Sequence, residues 1–159
     1  MIRIVIGLIG VVFIGGCAAQ TQSQAELTND GLIRKRSDFD VDTTVTRLSR
    51  ILRNRGLILF EVVDHAAGAQ KVNQSLRPTV VVIFGNPKAG TPLMQCDQEI
   101  GIDLPQKALI YQDQSDRVWL VYNDPAYLQA RHKVSGCEQP LANVSKALAA
   151  LSDAAVKRQ

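Results

Sequence analysis

Aromatic side chains are scarce in this chain: they make up 5% of its 159 residues, with a single Trp. The 18 Lys and Arg residues barely outnumber the 15 Asp and Glu residues. A net charge of +3, scattered along the chain, is too small to indicate a nucleic-acid binder. The sequence also lacks glycine-rich phosphate loops, the His-Glu-x-x-His zinc motif and the Gly-x-Ser-x-Gly nucleophile motif. These absences remove the usual nucleotide-binding, zinc-protease and serine-hydrolase interpretations, and no motif indicates an enzyme.

The longest apolar run lies at the N-terminus. One basic residue, Arg3, precedes an apolar run from Ile4 to Ile14, and two glycines then lead to Cys17. This is the layout of a secretory signal peptide. As a helix the run would span about 17 Å, against roughly 30 Å of membrane hydrocarbon, so it is too short for a permanent membrane span. We therefore predict that residues 1–16 are a signal peptide that is removed.

The residues around this cysteine, Ile14-Gly15-Gly16-Cys17, resemble the lipobox of bacterial lipoproteins. The resemblance implies that Cys17 carries a diacylglyceryl group and an N-terminal acyl group, which together anchor the chain in a membrane. Because Ala18 and not Asp follows, it also implies an outer-membrane location facing the periplasm. The alternative is an ordinary signal peptide followed by an incidental cysteine. Residues 17–30 are polar, and we predict that they form a lipidated flexible tether.

Residues 31–159 are numerous enough for one compact domain and too few for two. Periodicity and turn residues predict strands at 32–39, 57–64, 78–84, 107–112 and 117–122, the second of them buried. They predict main helices at 43–55 and 141–156, and short helices at 66–74, 92–99 and 124–132. Consecutive strands without full-length crossover helices favour an antiparallel sheet. We therefore predict an α+β fold with helices packed on one face, in the order strand, helix, four strands, helix.

Several short strings, taken in order, resemble domain-of-unknown-function family 302 of bacteria and archaea. They are Asp64-His65, Leu76-Arg77-Pro78-Thr79, Phe84-Gly85-Asn86-Pro87, Gly90-Thr91-Pro92-Leu93-Met94, Asp103-Leu104-Pro105, Tyr122-Asn123-Asp124-Pro125 and Arg131-His132. The resemblance spans roughly residues 42–155. It implies a compact α+β domain with the same order of elements, often seen as a dimer and without an established activity. It says more about fold than about function, since one fold hosts many functions.

Two cysteines remain once Cys17 is lipidated, and they lie in a compartment that favours disulfides. Cys96 and Cys137 both lie near predicted helix ends or loops, and we predict a structural disulfide between them. A reversible redox pair or metal thiolates are the alternatives, although the Cys-x-x-Cys spacing of such sites is absent.

The two histidines are the main candidates for a functional site, because a neutral imidazole binds metals or moves protons near pH 7. We expect them to face one cleft, whose candidate ligand-binding residues are His65, Asn86, Met94, Tyr122, Arg131 and His132. Structural interpretations stay open. Asp64-His65 can cap a helix, His132 can satisfy a helix C-terminus, and Met94 can pack in the core. The string after Asn86 is either an anion cradle at a helix N-terminus or a tight turn.

Three functions follow from these observations. The leading hypothesis is a periplasm-facing outer-membrane lipoprotein that binds a small ligand or a partner protein in a cleft near His65 and Asn86. The first alternative is a redox protein in which His65 and His132 hold a transition metal or a haem. The second is a structural envelope module that forms homodimers, with the apolar stripe of the C-terminal helix as a candidate interface.

Overall fold

The computed structural model describes residues 26–27 and 30–158. The strands are β1 (Glu26–Leu27), β2 (Leu32–Arg36), β3 (Ile58–Asp64), β4 (Thr79–Gly85), β5 (Gln106–Gln112) and β6 (Val118–Asn123). The helices are α1 (Val41–Asn54), α2 (His65–Lys71), α3 (Pro87–Cys96), α4 (Pro125–Arg131) and α5 (Glu138–Val156), with a 3-10 helix at Gln98–Asp103. The predicted signal peptide, Cys17 and most of the predicted tether lie outside the described residues. None of the helices described is long and apolar enough to cross a membrane.

The strands form one antiparallel sheet in the order β1-β2-β6-β5-β4-β3. The predicted α+β class, with the order strand, helix, four strands, helix, is confirmed. The sequence did not predict the two-residue strand β1, which pairs with β2 and belongs to the segment assigned to the tether.

The core lies between one face of the sheet and helices α1 and α5. Paired positions along the sheet all present apolar side chains to this face, because alternate residues of a strand point to the same side. On the sheet these are Val80, Val82, Phe84, Ala108, Ile110, Leu120 and Tyr122, and on the two helices they are Leu48, Leu52, Leu148, Leu151 and Ala155. The two main helices therefore pack on one face of the sheet, as predicted.

Local signals set the ends of α1. The Asp40 carboxylate accepts a hydrogen bond from the Thr43 N–H at 2.7 Å and caps the first turn. Gly56, with φ +70°, then takes the left-handed conformation that ends the helix. The guanidinium of Arg47 donates to the backbone carbonyls of Ala154 and Ala155 and so fastens α1 to the end of α5.

Asp113 organises the hairpin between β5 and β6. Its Oδ2 accepts hydrogen bonds from the Trp119 indole at 2.9 Å and from Arg117 Nε at 2.8 Å, and its Oδ1 accepts from the Ser115 N–H. The Trp119 hydrogen bond is the largest cause that lowers the pKa of Asp113 below its usual 3.8, with the bonds from Arg117 and Ser115 adding to it. The Asp113 carboxylate therefore accepts hydrogen bonds from three residues of the hairpin, and these bonds favour its ionised form.

Two predictions about burial are wrong. The β3 segment is apolar but forms the edge of the sheet, so Ile58, Phe60 and Val62 are exposed instead of buried. The apolar stripe of α5, offered as a dimer interface, packs inward, and its residues Leu141 and Leu148 are each only 4% exposed. The reason is the same in both cases: apolar composition does not say which surface a neighbouring element covers.

Candidate functional site

An apolar cleft of about 570 Å³ opens at the end of the sheet where β4 leads into α3. Helices α3 and α5 form its two walls, and the buried side chains of Phe84, Leu148 and Leu151 form its floor. This volume lies in the range of sites that hold small molecules.

The α3 wall starts earlier than the sequence predicts. Asn86 is the N-cap, with its side-chain oxygen accepting from the Lys88 N–H at 2.9 Å, and Pro87 takes the first helical position. The sequence predicts a tight turn or an anion cradle for this string and a helix that starts at Pro92, but Pro92 lies inside the helix. That prediction is wrong because Asn-Pro is also a strong N-cap and first-turn pair.

This arrangement also removes the predicted anion cradle. The Lys88 N–H is bonded to the Asn86 side chain, and the N–H groups of Ala89 and Gly90 are bonded to the Asn86 carbonyl oxygen. The first amides of α3 therefore already have acceptors within the chain.

A β-bulge shapes the open side of the cleft. The register between β3 and β4 shifts between Leu59 and Glu61, which leaves Phe60 as the extra residue, 53% exposed and lining the cleft. Gly85 makes room for it, since a Cβ there would lie 3.4 Å from the Phe60 ring and 3.3 Å from Pro105. Phe60 is not among the candidates that the sequence predicts, and the apolar run of β3 is the only signal for it.

A disulfide between Cys96 and Cys137 joins the two walls. Cys96 is the last residue of α3 and Cys137 the N-cap of α5, with their Cα atoms 6.3 Å apart. A second apolar cluster lies beside the bond and contains Leu93 and Ile100. Leu93 is the only buried residue of α3, so the disulfide is a major attachment of this wall.

Two of the predicted ligand-binding residues, Asn86 and Met94, line the cleft. Met94 is partly exposed, and its sulfur approaches Gly101, where a Cβ would lie 3.4 Å away. Lys88, which the sequence analysis did not select, is the one charged residue among those lining the cleft.

His65 lies at the other end of the sheet. It follows Asp64, which pairs with Val80 near the start of β4, whereas Asn86 follows the end of that strand. The seven-residue length of β4, roughly 20 Å, therefore separates His65 from Asn86. Asp64 caps α2 by accepting from the Ala67 N–H at 2.9 Å, which agrees with the structural interpretation of this dipeptide. The prediction that one cleft unites His65 with the other candidates is wrong.

His132 forms a pair with Asp103, at 2.6 Å between Nε2 and Oδ2. The His132 side chain is 8% exposed and that of Asp103 12%, and Arg131 adds a contact to Asp103 at 3.4 Å. The pair links the C-terminal end of α4 to the 3-10 helix, beside a shallow depression separate from most of the cleft. No local signal could have found this pair, because 29 residues separate its members.

Tyr122 belongs to the core. It is 4% exposed and faces α5 from strand β6, where burial raises the pKa of its hydroxyl above the usual 10.0. It does not line the cleft.

The predicted pair of metal or haem ligands is not brought together. His132 contacts Asp103, which precedes β5 at the Asn86 end of the sheet, and His65 lies at the opposite end. Within residues 30–158, no group of three or more His, Cys, Asp or Glu side chains is placed to hold a metal ion. A site made of both histidines of one chain is therefore ruled out by the direction of the strands.

The model of a family described as "Domain of unknown function DUF302" matches residues 33–151. The chain belongs to this family. A crystal structure of an uncharacterized conserved DUF302 protein from Bacillus stearothermophilus has the same fold, with a TM-score of 0.72 and 19% identity. The likeness covers 79% of this chain and 98% of that one, so a chain with little beyond the DUF302 domain adopts this fold.

The DUF302 domain also resembles parts of longer curated proteins. The "Fluoride-specific ion channel FluC 1" of Brucella suis is 43% identical over 110 residues, which are 69% of this chain and 43% of that protein. "Fluoride-specific ion channel FluC 2" of Brucella melitensis is likewise 43% identical over 110 residues, or 41% of its length. The chain therefore spans about two fifths of these relatives.

Proposed function

We propose that this DUF302 protein is a lipoprotein of the outer membrane that faces the periplasm and binds a small, largely apolar ligand. Its anchor would be the lipidated Cys17, and its binding site the cleft between α3 and α5. This replaces the site expected near His65 and keeps the one near Asn86.

The cleft is the observation that carries the proposal. The floor of the cleft consists of buried aliphatic and aromatic side chains. Lys88 is the single charged residue among the described residues that line the cleft. Sites for small molecules are concave and mostly apolar, with few polar groups that fix orientation. Removal of hydrocarbon from water in such a cleft favours binding.

Two observations support the location. The N-terminal residues have the signal-peptide layout and the lipobox-like string described above. The disulfide between Cys96 and Cys137 suits an oxidising compartment such as the periplasm. Homodimer formation stays a prediction, and the apolar stripe of α5 is buried within the chain and so is not available as its interface. The name that mentions fluoride is that of the whole relatives, and this chain spans only about two fifths of their length. Fluoride conduction is therefore no part of this proposal.

The test uses a soluble form that begins at Ala18 and is exported to the periplasm. This form is suitable because every described residue of the two apolar clusters lies between positions 33 and 156. The neutral fluorophore N-phenyl-1-naphthylamine is titrated into it, and we expect saturable binding of one molecule per chain.

Two tryptophan substitutions on α5 decide where the probe binds. Ala147 is exposed and lines the cleft, so Ala147→Trp fills it and should weaken binding about tenfold or more. Ala142 is exposed on the same helix but does not line the cleft, so Ala142→Trp should leave the affinity unchanged. Equal binding by both variants, or no binding by the parent form, would refute the proposal.

A further inference from the structure

The cleft is chemically asymmetric. Its interior contains hydrocarbon from Phe84, Leu148 and Leu151, which offers nothing to compensate a buried charge or an unpaired polar group. The rest of the described lining adds the neutral polar side chains of Asn86, Thr91, Gln106 and Asn143, so the interior favours a ligand that is hydrocarbon over most of its length.

Among the described residues that line the cleft, the only formal charge is positive. Lys88 is the second residue of α3 and is exposed to solvent. Within residues 30–158 no carboxylate forms an ion pair with Lys88, and its backbone N–H is already bonded to Asn86. Because Asn86 also occupies the next two amides of α3, the positive charge available to a ligand is the Lys88 ammonium.

The apolar surface continues out of the cleft. Phe60 lies on the open side with half of its surface exposed, and the exposed Ala147 lies on the α5 wall. Exposed apolar surface of this kind is typical of a ligand-binding groove, and a hydrocarbon chain longer than the cleft would contact it.

We propose that the ligand is a single-chain amphiphile, with its hydrocarbon chain in the cleft and an anionic head group paired with Lys88. This inference rests on the proposed function, since it names the ligand class of the same site. A chain tethered to a membrane through Cys17 would stand close to a source of such molecules.

The experiment compares three amphiphiles that share a twelve-carbon chain and differ in the charge of the head group. The three compounds are dodecanoate, dodecanol and dodecyltrimethylammonium. Each is titrated, at concentrations too low for micelles to form, to displace N-phenyl-1-naphthylamine from the Ala18 form. We expect the anion to bind best and the cation worst, with steps of about two- to fivefold, the range of an exposed ion pair. The preference should shrink as salt is added, because exposed charges are screened.

Lys88→Glu should reverse the order of the anion and the cation, and it should fold because an acidic residue is favourable in the first turn of a helix. Lys71→Glu is the matched control: Lys71 is exposed on α2 and does not line the cleft, so the order should stay as in the parent. Equal displacement by all three amphiphiles, or an unchanged order in Lys88→Glu, would overturn the inference while the proposed function stands. Failure of the fluorophore itself to bind would overturn the proposed function as well.

Discussion

The disulfide between Cys96 and Cys137 should supply much of the stability of this domain. The bond joins residues 41 positions apart, and in the loop-entropy treatment a link of that span stabilises the folded state by about 4 kcal/mol, by restricting the unfolded chain. Domains have total stabilities of about 5–15 kcal/mol, so the loss would be a large fraction of the whole. For a domain of this size it corresponds to a fall in melting temperature of roughly 12–20 °C.

The measurement is urea unfolding of three samples: the oxidised protein, the same protein with reductant, and the double variant Cys96→Ala/Cys137→Ala. Both unlinked samples should be less stable by about 4 kcal/mol, and their urea m-values should rise because the unlinked unfolded chain exposes more surface. The variant should lose up to about 1 kcal/mol more than the reduced protein, since Cys137 is 1% exposed and removal of its sulfur leaves a small void. A loss below about 1 kcal/mol in the reduced sample would refute the reasoning.

Two further predictions concern single residues. Gly31 has φ +76° and a Cβ there would clash with the ring of Tyr127, so Gly31→Ala should destabilise the domain by about 2–4 kcal/mol in thermal unfolding. Gly56 has a similar φ of +70° but open space around it, so Gly56→Ala should cost only about 1 kcal/mol, and equal losses would contradict the steric argument. The lowered pKa of Asp113 contributes stability that is present above the unfolded pKa of 3.8 and is lost as pH falls through the folded value. Asp113→Asn should therefore be less stable than the parent at pH 7, with the difference shrinking below pH 3.8. A difference independent of pH would show that the ionised carboxylate is not what matters.

The predictions that succeeded rest on short-range interactions. Periodicity predicted α1, and the structure bounds it with Asp40 and Gly56, because a cap and a left-handed stop act within one turn. The strands predicted at 107–112 and 117–122 pair as a hairpin, because only the short polar string from Asp113 to Asp116 separates them. The start of α3 could also have been predicted from the sequence, because Asn86-Pro87 is an N-cap signal that was interpreted as a turn.

The sequence predicted only part of the candidate site. Asn86 and Met94 do line the cleft, and Cys96 and Cys137 are joined. Phe60 was not predicted, because its position in the cleft depends on a β-bulge, and no residue of β3 indicates that bulge in the sequence.

The chain sequence by itself determined the class of fold, the order of its elements and the pair of cysteines available to link them, because periodicity, caps and composition are properties of neighbouring residues. Only the tertiary structure decided which residues meet. Strand order put β3 at an edge and exposed its apolar side chains, and strand direction sent His65 and His132 to opposite ends of the sheet. The packing of the helices placed α3 opposite α5, and the cleft between them is lined by residues of both helices, including Lys88. Such contacts join residues far apart in the chain, and their geometry follows from the packing of whole elements.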